Sequence, residues 1–104
     1  MIEYPLEEEL ETVQKLANFE FIYKKEGVEL FLNYFKGKWK YSNMGGLKLN
    51  NGILELHTYG WSGNEDLVDS LHGTLFWAFY WWRSERGGHY WFDLKRVYEI
   101  EDEI

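Results

Sequence analysis

The sequence predicts an α+β domain in which N-terminal helices pack on an antiparallel sheet of about four or five strands, with one further helix inserted between two hairpins. Three observations carry this expectation. Apolar residues recur at three- and four-residue spacing early in the chain; the period then shortens to two from Lys38 onward; and Asn51-Gly52 and Gly87-Gly88 interrupt apolar runs as hairpin turns do. A chain of 104 residues closes one hydrophobic core, so it is read as a single domain, with 1–37 mainly helical and 38–104 a sheet carrying a helix at 64–72.

The elements follow in order. From Pro5 to about Lys24, Leu6, Leu10, Val13 and Leu16 or Ala17 form an apolar stripe, Pro5 suits a first turn, and Glu7, Glu8 and Glu9 complement the helix dipole. Its end is ambiguous, because Phe19, Phe21 and Tyr23 alternate as a strand would. Gly27 is expected to break the pattern and Gly37 to end a second, short helix carrying Leu30, Phe31, Tyr34 and Phe35 on one face. "KWKYS" alternates as a strand, Gly45-Gly46 marks a bend, and "LKLNNGILEL" is a hairpin with Asn51-Gly52 at its tip. "TLFWAFYWW" is apolar on both faces and is expected to be a strand covered on both sides, with a buried helix as the alternative. "HYWFDLKRVYEI" completes the second hairpin, and "EIEDEI" is expected to be a solvated end.

Composition narrows the function. The absence of cysteine excludes disulfides and thiolate metal sites and fits a reducing cytosol. No apolar run approaches the roughly 20 residues of a membrane helix, and the acidic start is unlike a signal peptide, so a soluble cytoplasmic protein is expected. A net charge of -7 argues against general or sequence-specific nucleic-acid binding, which relies on Lys and Arg. Aromatic residues make up 20% of the chain, more than a small interior accommodates, so some rings are expected on a cleft wall or an interface.

Two stretches concentrate polar chemistry. In "HTYGWSGNEDL", Ser62 and Glu65 have capping-box spacing, with Asn64 as the alternative cap, so starting a helix is the first reading. The same turn, with Gly60 and Gly63 allowing close approach, also offers helix amides to an anion, and Trp61 either plugs the core beneath the turn or covers what binds there. In "WWRSERGGHYW", Arg83 and Arg86 bracket a turn followed by His89 and Tyr90, a set suited to planar anions, although Arg83 and Arg86 could instead pair with Glu85 or Asp93. If the strands ending in His57 and beginning at His89 are neighbours, the two imidazoles meet at one sheet edge. The histidine spacing matches no metal motif, no phosphate-binding loop is present, and no cofactor is expected. His72 is expected to complement a helix C-terminus. "GWSGN" lacks the context of a nucleophile elbow.

The segment "ELHTYGWSGNEDLVDSL", with the aromatic run and "SERGGHYWFDL" after it, resembles a family of small bacteriophage-encoded proteins of unknown function, over Leu54 to Leu94. Tyr59 stands where that pattern has a small residue, often glycine. The resemblance implies a phage accessory protein in the host cytoplasm, in which the two turns form two walls of one site. The expected ligand set is then His57, Trp61, Ser62, Gly63, Asn64, Trp77, Arg83, Arg86, His89 and Tyr90, around a nucleotide-like or other phosphorylated small molecule, sequestered as a host immune signal. Two alternatives stand beside it: an acidic inhibitor of a basic host protein, suggested by the charge and by Glu7 to Glu11, and a small enzyme with His57 or His89 as general base and Arg83 stabilising charge. A homo-oligomer is compatible with each.

Overall fold

The computed structural model describes residues 4–41 and 44–98, so the acidic tail lies outside the described residues. The elements are α1 (Glu7–Ala17), α2 (Lys25–Lys38), β1 (Leu47–Asn50), β2 (Ile53–His57), α3 (Ser62–Leu71), α4 (Leu75–Tyr80), β3 (Trp81–Glu85), β4 (His89–Asp93) and α5 (Lys95–Tyr98). The strands form an antiparallel sheet in the order β1-β2-β4-β3. The expected α+β class, N-terminal helices and both hairpins are present.

One face of the sheet makes the core. Leu54, Leu56 and Phe92 turn inward and meet Val13, Phe31, Phe35, Leu67, Leu71, Phe76 and Tyr80 from the helices, all essentially inaccessible to solvent. Residues on the opposite face, including Glu55, His57, Arg83, Glu85, His89 and Trp91, are half-buried or exposed and never fully buried.

The first helix ends at Ala17, short of Lys24. Asn18 leaves helical geometry and its Oδ1 accepts the Leu75 N–H at 2.9 Å, tying the turn to α4; the residues after it form turns that bury Ile22 and leave Phe19, Phe21 and Tyr23 exposed. Gly27 does not break α2 but lies inside it. A Cβ there would stand 1.9 Å from the Phe21 carbonyl oxygen, so the glycine serves close approach of the helix to the preceding turn. Gly37 does not stop the helix either, which runs to Lys38.

"KWKYS" is not a strand. Trp39 is buried, its N–H bonds the Phe35 carbonyl at 3.1 Å, and its ring stacks on Phe35 at 5.4 Å, so it closes the helix instead of pairing with the sheet. Tyr41 then takes a positive φ of 67°. The first hairpin turns as expected, with φ of 54° at Asn51 and 79° at Gly52.

The apolar run after residue 74 is the largest correction. Leu75–Tyr80 is a helix, capped by the Thr74 hydroxyl, which accepts from the Trp77 N–H, and the strand begins only at Trp81. Phe76 and Tyr80, one turn apart, point into the core while Leu75 and Phe79 are exposed. Tyr80 adds a 2.6 Å hydrogen bond from its hydroxyl to the Ile22 carbonyl. Two helices, not one, thus separate the hairpins. β4 ends at Asp93, and "KRVY" forms α5 instead of continuing the strand. Among the described residues no helix is long and apolar enough to cross a membrane.

Candidate functional site

The two polar turns come together. His57 and His89 are direct cross-strand neighbours on β2 and β4, and the next step along the chain joins Thr58 N–H to the Gly88 carbonyl at 3.0 Å. Gly88 (φ 82°) lies so close to Thr58 that a Cβ would fall 2.0 Å from its Oγ1. Glycine is required there both for conformation and for contact.

At this junction the imidazoles are joined Nδ1 to Nδ1 at 2.7 Å, and His57 Nε2 lies 3.1 Å from Glu55 Oε1. A carboxylate accepts, so His57 carries its hydrogen on Nε2; when neutral it must accept at Nδ1 from the Nδ1–H of His89. That leaves His89 Nε2 as an acceptor beside Gly87. The line Glu55–His57–His89 can relay or orient a proton.

Next along the same face lies Trp91, flanked by both imidazoles at centroid distances of 6.0 and 6.4 Å. Arg83, cross-strand from Trp91, lays its guanidinium 4.3 Å from the centre of that ring and forms an ion pair with Glu85. The expected pairing of Arg83 with Glu85 is present. Arg86 is exposed in the turn between β3 and β4.

The other expected site residues lie elsewhere. Trp61 is 9% exposed; its ring closes over Gly63, stacks on Tyr4 at 5.3 Å, and lies 5.5 Å from the Lys40 ammonium. Its indole N–H is buried and meets no hydrogen-bond acceptor among the described residues. The expected capping box is absent: Trp61 occupies the cap position of α3 without a side-chain bond, and Ser62 is the first helical residue. Asn64 is buried instead and clasps the Lys40 backbone, with Oδ1 accepting from the Lys40 N–H and Nδ2 donating to the Lys40 carbonyl, both at 2.9 Å. This bond pair holds the segment after α2 against α3.

Trp77 and Tyr90 lie on the helix-covered face. Trp77 packs on His72 at 4.2 Å, on Trp81 at 6.1 Å with near-parallel planes, and edge-on to Tyr90 at 6.3 Å. Burial, and after it the charges of Asp69 and Glu65, raise the pKa of Tyr90 and keep it a neutral phenol. His72 caps α3 just past its end, its backbone N–H bonding the Asp69 carbonyl while its ring packs on Trp77. Among the described residues no three His, Asp or Glu side chains are grouped to hold a metal ion.

The structure therefore joins His57, His89 and Arg83 on the open face, puts Arg86 at its tip, and directs Trp61, Ser62, Gly63, Asn64, Trp77 and Tyr90 to α3 and the core side. Glu55 and Trp91 were missed as site residues. Strand alternation in "LELH" and "HYWFD" would have put them on the face of His57 and His89.

Asn64→Asp tests the clasp. A carboxylate would face the Lys40 carbonyl without a hydrogen to donate, so the variant is expected to lose about 2–3 kcal/mol near neutral pH. The deficit should shrink as pH falls and the carboxyl takes up a proton it can donate. Denaturant midpoints measured across pH check both the size and the direction.

No family model, curated protein or solved structure matches the chain.

Proposed function

We propose that the chain is a phage-type accessory protein, non-enzymatic, that binds a nucleotide-like or other phosphorylated small molecule at the open sheet face and sequesters it in the host cytoplasm as an anti-defence device. The observation that carries this reading is Arg83 laid on Trp91, beside the His57–His89 pair. An arginine held over an indole keeps N–H donors for a bidentate anion while the ring restricts its motion. Its present partner, Glu85, is exposed, and exposed pairs contribute at most about 1 kcal/mol, so a phosphate can replace that carboxylate at little cost. The neighbouring imidazoles supply a hydrogen-bonding edge for the rest of the ligand.

The test is mass spectrometry of small molecules released from the purified protein after exposure to host lysate. A phosphorylated compound carried by the native chain, and retained at least about tenfold less by folded Arg83→Ala and Trp91→Ala variants, is the expected result. A native protein that emerges empty from infected and uninfected lysates, or a compound held equally by both variants, overturns the reading.

A second reading is supported by a groove of about 410 Å³ between α1 and α3, whose lining includes Glu7, Glu11, Asp66 and Asp69. Such an acidic groove suits a basic protein partner. A complex with a basic host protein that is lost on combined Glu7→Lys and Glu11→Lys substitution would favour it over the ligand.

A further inference from the structure

β3 ends the sheet, and all of its residues are exposed. Its outer edge is unpaired among the described residues and lies beside an apolar cluster, with Phe79 42%, Trp81 45% and Trp82 51% exposed. A bulge between Trp81 and Arg83 interrupts the start of the strand, so the regular edge is Arg83 to Glu85, and an unpaired edge is open to another strand. The strand itself specifies what fits against it.

The hydrogen-bond phase identifies which backbone groups face outward. Leu94 N–H bonds the Gly52 carbonyl and Thr58 N–H bonds the Gly88 carbonyl, so the even-numbered residues of β4 turn their backbone groups toward β2. By alternation, His89 and Trp91 turn theirs toward β3 and bond Glu85 and Arg83, their register partners. The N–H and C=O of Ser84 then point away from the sheet.

We propose that a second copy of this chain pairs antiparallel along β3, with the two-fold axis at Ser84, joining two sheets into one. In this register the two Ser84 residues exchange N–H···O=C bonds. Arg83 stands directly opposite the partner's Glu85, and Glu85 opposite the partner's Arg83. The ion pair within each strand thereby becomes a four-charge square in which every neighbour is of opposite sign.

The neighbouring two-fold registers are less complementary. Because pleat requires paired side chains to share a face, each alternative shifts the axis by one residue. Centring on Arg83 opposes two arginines, and centring on Glu85 opposes two glutamates. An isologous interface must be self-complementary, and the charges of β3 satisfy that condition about Ser84.

Sedimentation of the purified full chain tests the pairing without reference to any ligand. The native protein should run at twice its 12.6 kDa mass. Arg83→Glu and Glu85→Arg, each alone, set like charges opposite one another and should halve the mass. An equal mixture of the two variants restores opposite charges at every position and should recover the dimer. Ser84→Pro removes the outward N–H while sparing the bonds to β4, and it should also give a folded monomer. A native chain that is monomeric up to its solubility limit overturns the proposal, as do single charge variants that dimerise like the native chain or a mixture that stays monomeric.

Discussion

Gly88→Ala is expected to destabilise the protein by about 3 kcal/mol, the sum of a left-handed backbone penalty and overpacking against a buried neighbour. The φ of 82° is uncomfortable for any residue with a Cβ, and that Cβ would arrive 2.0 Å from the Thr58 Oγ1. Thr58 cannot yield easily: it is fully buried, β-branched, and its hydroxyl accepts the Gly60 N–H at 3.3 Å. The two turns must separate, and the His57–His89 contact separates with them. Gly73→Ala supplies the control, because Gly73 has a similar φ of 81° with nothing within 4 Å of its added Cβ. It should lose only the backbone part, about 1–2 kcal/mol. Denaturant midpoints for the two variants check the difference, and equal losses would mean that the Thr58 contact is not tight.

Phe76→Ala is expected to cost about 3–5 kcal/mol, enough to bring a domain of ordinary stability near its unfolding threshold. Phe76 is fully buried and its ring meets Phe31 at 4.4 Å, Phe92 at 5.1 Å and Tyr80 at 5.2 Å. One side chain thus joins α2, α4 and β4, and no single neighbour can fill the space it leaves. Thermal and denaturant unfolding measure the loss. Phe79→Ala, one turn face away and 42% exposed, should change stability by less than about 1 kcal/mol and shows that the effect belongs to burial and not to aromatic content.

Much of the fold was legible because its signals are local. The stripe of Leu10, Val13 and Ala17, the positive φ available to Asn51-Gly52, and the glycines of the second turn each act within a few residues. Where local signals were absent or double, the expectation failed. "LFWAFY" has no polar face, so neither period can be read from it, and the helix is selected by Thr74 capping and by Phe76 and Tyr80 reaching the core together. Gly27 looked like a breaker because its reason for being glycine is the Phe21 carbonyl lying against it.

The same division runs through the candidate site. The sequence by itself determined that polar chemistry gathers in two turns, and that His57 and His89 would meet if their strands paired; strand pairing carried them to 2.7 Å. Only the tertiary structure decided the fate of Trp61. Its position in a glycine-rich turn allows either an outward platform or an inward plug, and Tyr4, Lys40 and Gly63, which surround the ring, decide for the plug. A side chain's direction at a turn depends on which distant surfaces offer apolar area to bury, and no local pattern in the chain records that.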